Sequence, residues 1–338
     1  MNWIQLEPLI CMIGIYAILA LSLNMICGMT GLLQIGHAGF FAVGAYAAGI
    51  TSIYFTFPEL GFFNLFIGIA AAVIAACICS ILIGLPCLRL RGDYLAIATL
   101  GFGEIVRLTL NATEFPAGKM FFDADNPDAK IGGPTGIQFT EVPGEVFGEN
   151  YAEYSAEYAR YWVIWIFVIL TYIILRNIKF SRAGRAFMCI REDEIAAKAM
   201  GINVPRYKTT SFMISAAFAG LAGALFFHHR TMLSPNDFTL LLSIEVLLMV
   251  VLGGMGSFSG ALMAAIILRL MPMALRQVDL TDATWLPSMM RRSLSEYNQI
   301  LYAILLVVLI RIVPNGILGI KESPDWLKRL LGKKGGKA

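Results

Sequence analysis

Residues 161–227 read "YWVIWIFVILTYIILRNIKFSRAGRAFMCIREDEIAAKAMGINVPRYKTTSFMISAAFAGLAGALFF". Two apolar runs flank one charged island, residues 181–208, which holds six basic and three acidic side chains. A helix that crosses a bilayer needs about 20 predominantly apolar residues, and each flank supplies one. The island is then a water-facing loop between two membrane spans. Extended along the chain, this pattern predicts an all-α, polytopic membrane helix bundle.

The composition agrees. The chain has 338 residues, of which 58% are hydrophobic and 14% charged, and its mean hydropathy is +0.71. Soluble domains carry about 25% charged residues. The net charge of +3 says little about partners. No basic stripe is interleaved with aromatics, which argues against nucleic acid as a partner. The six cysteines (Cys11, Cys27, Cys77, Cys79, Cys87 and Cys189) mostly sit in or beside apolar runs, and the chain has only three histidines. They read as small packing residues, with no metal site. The opening "MNWIQLEP" lacks a basic region and a cleavage signal, so the first apolar run reads as a retained span and not a signal peptide.

Nine spans are expected, within a range of about 8–10, at roughly 9–27, 33–55, 62–86, 93–111, 160–178, 209–229, 238–254, 257–275 and 298–318. The second is rich in glycine and open to a reading as two half-helices. The pair around "GGMGSFSG", 253–260, is open to a re-entrant reading, although a tight turn between spans suits it better. That motif is not a phosphate-binding loop, because no Gly-Lys-Ser/Thr occurs in the chain.

The loops orient the bundle. Residues 176–208 carry eight bases against three acids, and the tail "KESPDWLKRLLGKKGGKA" six against two. Lys and Arg stay on the cytoplasmic side. The segment 111–159 carries nine acids against Lys119 and Lys130, and falls outside. Residues 1–320 are expected to form one transmembrane domain, with an acidic insert outside at about 112–159 and a cytoplasmic loop at about 179–208, and a basic cytoplasmic tail is expected at 321–338. Nine spans place the N-terminus outside, and Arg89 and Arg91 of "LRLRGD" inside.

Within the island, "REDEIAAKAMGINVP" reads as one short helix. Arg191, Glu192, Asp193 and Glu194 open it, and the acids suit the positive end of the helix dipole. Ala196 and Ala197 give it a smooth surface. Ile195, Ala199 and Ile202 form an apolar face, which Met188 extends. Gly201 terminates it, and Pro205 prevents continuation.

Other residues are candidates for a translocation path. Gly36, His37 and Gly39 open a glycine-rich span that can break where its ends face a solute. In "LRLRGDYLAIATLGFGEIVR", 88–107, Tyr94 begins a span, Gly101 and Gly103 thin it, and Glu104 and Arg107 stand one turn apart where they can pair. Glu245 lies alone in "LLLSIEVLLMVVLGG". Burying it uncompensated costs about 3 kcal/mol, and Arg269 is a possible partner. Gly253 and Gly254 follow it.

Six segments in order resemble the LivM-type permeases of branched-chain amino acid ABC importers: "GHAGFFAVGAYAA", "LRLRGDYLAIATLGFGEIVR", "GGPTGI", "RAGRAFMCIREDEIAAKAMGINVPRYK", "SAAFAGLAGAL" and "EVLLMVVLGGMGS". The acidic insert is longer than that family's usual loop. The resemblance covers about residues 15–320. It implies a many-helix importer permease in the bacterial inner membrane and a homologous second permease subunit (LivH-like). It also implies two cytoplasmic ABC ATPases (LivG- and LivF-like) and a periplasmic solute-binding protein. The ATP and Mg would belong to those ATPases, with no cofactor on this chain and no enzymatic activity of its own. Residues Arg191–Gly201 would then be the ATPase-coupling element. Alternatives are a urea or short-amide ABC permease, an ion-coupled secondary transporter using Glu104 or Glu245, and a structural membrane subunit with no path.

Overall fold

The computed structural model describes residues 3–54, 63–87, 92–116, 130–138, 153–230, 232–277 and 311. The expected span at 298–318 apart from residue 311, Arg89 and Arg91, the tail 321–338 and most of the acidic insert lie outside the described residues. Ten α-helices are described. They are α1 (Trp3–Asn24), α2 (His37–Tyr54), α3 (Phe63–Cys87), α4 (Asp93–Ala112), α5 (Glu153–Phe180), α6 (Arg182–Glu192), α7 (Glu194–Ala199), α8 (Val204–His229), α9 (Leu240–Gly253) and α10 (Phe258–Gln277). Six stretches are long and apolar enough to cross a membrane: Pro8–Met29, Asn64–Gly84, Tyr94–Ala112, Tyr161–Phe180, Val204–His229 and Pro235–Gly253. The chain is a multi-pass membrane bundle. Its strands are short: β1 (Glu114–Pro116) pairs with β2 (Lys130–Gly132), and β3 (Ile137–Gln138) with β4 (Met232–Leu233).

Between lipid-soluble helices there is no hydrophobic driving force, so small residues that let backbones approach carry the packing. The α2–α3–α8 layer shows this. A Cβ added at Gly44 would collide with the Gly220 backbone, and one at Gly220 would meet the Ala72 carbonyl at 2.8 Å and the Ala76 methyl at 2.7 Å. Ala216, Ala219, Ala222 and Ala224 of α8 are all fully buried. Aromatic rings fill the space beside this layer: Phe41 and Phe226 both pack on Phe238, with centroids 5.1 Å and 5.9 Å away. By contrast, α5 turns Trp162, Ile166 and Ile169 outward, each more than half exposed, as a lipid-facing helix would.

The bundle has two distinct ends. At one, which we call the loop end, α6 meets the close of α1 and the close of α5 near the turn joining α9 to α10, and α7 lies against α6 and α8. At the other, the strand end, β1–β4 lie beside the close of α4 and the connection from α8 to α9.

Three expected boundaries move. The second span begins at His37, not 33, because residues 31–36 are not helical; one helix follows, not two half-helices. Before it, α1 ends in a turn of π-helix, Met25–Met29. The span at 209 begins five residues earlier, at Val204. There the Asn203 side chain accepts from the Arg206 N–H at 3.3 Å and Pro205 sits in the first turn, where its missing N–H costs nothing. Pro205 thus starts α8 as much as it prevents α7 from continuing. The expected span 238–254 is a 14-residue helix, and "GGMGSFSG" is the tight turn between α9 and α10.

Candidate functional site

Two regions hold the candidate residues. The first is the loop end. The single helix expected over "REDEIAAKAMGINVP" is two, α6 and α7, broken at Asp193. Its backbone is extended (φ −154°, ψ 113°), and its carboxylate accepts from the N–H groups of Ile195 at 2.8 Å and Ala196 at 3.0 Å. Those donors are free only because a new helix starts there. Glu192 therefore closes α6, while Glu194 opens α7. At the far end, Gly201 has φ +83° and donates to the Lys198 carbonyl, and Ile202 donates to that of Ala197, both at 3.1 Å. This double closure is the Schellman arrangement that glycine favours.

The break also rotates the apolar face. Inward contacts come from Ile190, Ala197 and Val204, with Ile202 beside them, not from Ile195 and Ala199. Phe187, rather than Met188, anchors α6 against Leu21, Met25, Leu175 and Phe258. Ile195 and Met200 are left 82% and 83% exposed, with Ala196 beside them.

Charged side chains tie this end together. Arg191 donates to the Gly28 carbonyl at the close of α1. Lys179 donates to the Gly256 carbonyl at 2.7 Å and lies 5.7 Å from the Phe258 ring centre. Asn24 clamps the same turn, accepting from the Gly256 N–H and donating to the Ser257 carbonyl, each at 2.8 Å. Glu194 pairs with Lys208 of α8 at 2.6 Å. Asn24, Lys179 and Lys208 had escaped the sequence reading. Their signal was a polar group in or beside an apolar run, which demands a partner.

The second region is where α2 starts. Non-helical residues 31–36 lead from the close of α1 to α2, whose first residue, His37, lies beside Ser22 near the end of α1. The non-helical backbone finds its partners at a distance in sequence. The Ile35 N–H donates to Thr99 Oγ1 at 3.2 Å and the Ala38 N–H to Ser243 Oγ at 3.0 Å. Backbone of this kind survives at membrane depth only when buried in protein or lining a cavity. Gly36 packs directly on the Thr99 carbonyl, and a Cβ at Gly39 would stand 3.0 Å from the Gly103 backbone.

An open cleft of about 550 Å³ adjoins this start. Ile35, Gly36 and Ala38 line one side and Leu100, Gly103, Glu104 and Arg107 of α4 another. Residues 238–241, with Ser243 and Ile244, at the start of α9, close it. No side chain caps the first turn of α9.

The sequence candidates divide around this cleft. Gly36 and Glu104 line it. His37 is buried behind it, its Nε2 2.8 Å from Ser22 Oγ. Ser22 Oγ also lies 2.8 Å from the Leu19 carbonyl oxygen. Gly39 packs behind the cleft as well. Tyr94 is 72% exposed, and a Cβ at Gly101 would meet nothing within 4 Å, so Gly101 does not serve close packing as Gly103 does. Glu245 pairs with Arg269 at 3.4 Å, and the Arg269 guanidinium stacks 3.3 Å from the centre of the Tyr16 ring. Gly253 and Gly254 belong to the turn at the loop end, where Gly253 abuts Gly260 and Ala261. Among the described residues no group of three or more His, Cys, Asp or Glu is placed to hold a metal ion.

Comparison with known proteins locates this architecture. Residues 5–310 match the model of the family described as "Branched-chain amino acid transport system / permease component". The chain is 38% identical over 325 residues to the high-affinity branched-chain amino acid transport system permease protein LivM of Escherichia coli (strain K12), covering 93% of this chain and 70% of that protein. It is 28% identical over 277 residues to the probable permease LivM of Methanocaldococcus jannaschii, covering 73% and 74% of the two chains. To the permease LivH of Escherichia coli (strain K12) it is 24% identical over 316 residues, covering 91% and 92%. No solved structure matches the chain.

Proposed function

The chain belongs to the branched-chain amino acid transport permease family, and we propose that it is a membrane-spanning subunit of an ATP-driven importer carrying leucine, isoleucine and valine. The observation that carries this reading is the 38% identity to a branched-chain amino acid permease over 93% of the chain. Two relatives of different type, LivM and LivH, are both named as permeases of such a system, which supports a homologous second permease as partner. Two cytoplasmic ATPases, holding the ATP and Mg, and a periplasmic solute-binding protein complete the importer. This chain binds no cofactor and supplies no catalytic group. It lies in the bacterial inner membrane with the loop end and the C-terminus in the cytoplasm, where basic loops stay.

The geometry supports a route for coupling. Ile195, Ala196 and Met200 form an exposed apolar knob on a capped helix, suited to a cleft on an ATPase. Phe187 and Arg191 join the knob to the close of α1, and residues 31–36 lead from there to the cleft. Motion of the ATPases would thus reach the broken start of α2 through contacts already in place. ATP and substrate shift the outward–inward equilibrium only by their differential affinity for the two states. Glu104 and Glu245, the residues an ion-coupled transporter would use, are each already engaged by an arginine.

Reconstitution with the two ATPases, the second permease and the binding protein tests the reading. Leucine uptake should require ATP hydrolysis. Uptake that persists without ATP and follows a pH gradient would replace it with the ion-coupled alternative.

A further inference from the structure

Glu104 and Arg107 line the cleft side by side, on the α4 wall. Arg107 Nε donates to both Glu104 carboxylate oxygens at 3.1 Å, and Nη1 donates to Asn236 Oδ1 at 3.3 Å. The pair is not sealed away, since the Arg107 and Glu104 side chains are 20% and 41% exposed. Around it the wall is apolar, with Ile35, Leu100, Phe238 and Ile244. The cavity therefore presents one negative group, one positive group and an aliphatic surface in a space of about 550 Å³.

An aliphatic α-amino acid has the complementary set: an ammonium and a carboxylate on one carbon, and a branched hydrocarbon side chain. We infer that Glu104 and Arg107 are the headgroup receptor of the translocation cleft. The Glu104 carboxylate takes the ammonium, the Arg107 guanidinium takes the carboxylate, and Ile35, Leu100, Phe238 and Ile244 take the side chain. This rests on the amino-acid transport reading above.

The exchange is balanced in charge. The empty cleft holds a self-paired glutamate and arginine, and the filled cleft holds the same two charges each facing its opposite on the substrate. Ionisable groups at membrane depth are expensive, and a pair that swaps partners is never left uncompensated. Two opposite charges also exclude monofunctional analogues, because an amine or a carboxylate alone leaves one partner unmatched. The Arg107–Asn236 bond adds a consequence. Asn236 belongs to the turn Pro235–Asp237 that precedes α9, so substrate drawing on the guanidinium loosens the tie between α4 and that connection.

The alternative role for the pair is structural, a brace between α4 and residues 235–237. Saturation-transfer NMR on the two permeases with their ATPases in nanodiscs, without the solute-binding protein, separates the two. With the wild type, leucine should give a signal that isovalerate and isoamylamine, its deaminated and decarboxylated counterparts, fail to displace. Glu104→Gln and Arg107→Gln should each raise the leucine concentration needed for half-maximal signal by about tenfold or more, the scale of one lost charged hydrogen bond. The double variant E104R/R107E keeps an intrahelical pair but reverses it against a cleft whose apolar wall fixes the side-chain direction. It should bind leucine as poorly as the single variants.

Leucine binding at wild-type strength by the swapped pair would overturn the proposal, and so would displacement of leucine by either analogue. The analogue experiment needs no variant, so it decides even if a substitution prevents insertion. An importer that transports no branched-chain amino acid would sink the transport reading instead, and the nanodisc binding would still decide the cleft.

Discussion

The loop end and the cleft are both breaks in helical structure, yet they are stabilised in different ways. At the loop end the break at Asp193 is satisfied by Asp193 itself, and α7 closes on Gly201, eight residues later. Beside the cleft, the freed N–H groups of Ile35 and Ala38 are satisfied by Thr99 and Ser243, 64 and 205 residues away. The first region lies in an exposed, charged segment, whereas Gly36, His37 and Ala38 are buried in the bundle. A break in water is stabilised by local capping chemistry, whereas a break at membrane depth needs the rest of the bundle around it.

If that contrast holds, damage at the cleft should spread and damage at the loop end should stay functional and local. The largest effect is expected from Gly36→Ala, whose Cβ would land on the Thr99 carbonyl. Overpacking against backbone costs about 1–3 kcal/mol or more, so both the thermal stability of the solubilised protein and leucine uptake should fall. Wild-type stability in this variant would show that the 31–36 segment is not held against α4.

Next comes Gly201→Pro. The substitution removes the N–H that donates to Lys198 and forbids the observed φ of +83°. The α7 terminus should open, and transport should be lost while membrane insertion and bundle stability remain. Preserved coupling between ATP hydrolysis and uptake would break the docking assignment.

Arg191→Gln should act more mildly. It removes a charged hydrogen bond to the Gly28 carbonyl, worth about 1.5 kcal/mol. The ratio of leucine molecules moved to ATP hydrolysed should drop by roughly tenfold with ATPase binding intact. Ile195→Asp should show the opposite pattern, with weakened ATPase association in a pull-down and an unchanged melting temperature, because Ile195 is 82% exposed. The smallest change, Gly101→Ala, should be neutral or stabilising by about 0.5–1 kcal/mol, since the added methyl meets nothing within 4 Å in a helix interior. A clear loss of stability there would mean that a partner covers this face of α4.

Individual residues show what could be read from the chain. Gly201 as a helix terminus, the Glu104–Arg107 pair and the Glu245–Arg269 pair were all legible, because each follows from helical spacing or from the cost of a lone charge in an apolar run. The split between α6 and α7 was not. The charges of Glu192, Asp193 and Glu194 suit a first turn equally well whether one of them caps it or all lie inside it. Nor was the start of α2, because "LLQIGHAGF" is as apolar extended as helical. Asn24 and Lys179 escaped the sequence reading. Both partners lie in the turn 254–257, 233 and 77 residues away from them.

The amino-acid sequence by itself determined that the chain is a multi-pass bundle, which segment is charged and loop-like, and that a helix there ends at Gly201. Hydropathy and capping act over one to twenty residues, so they are written locally. Only the tertiary structure decided where a span breaks, which face of α7 points outward and that a cleft carrying one acid and one base opens beside α2. The reason is the apolar medium. A backbone group released from a helix there must find its donor or acceptor inside the protein, and for Ile35 and Ala38 those groups arrive on α4 and α9 only once the bundle has assembled.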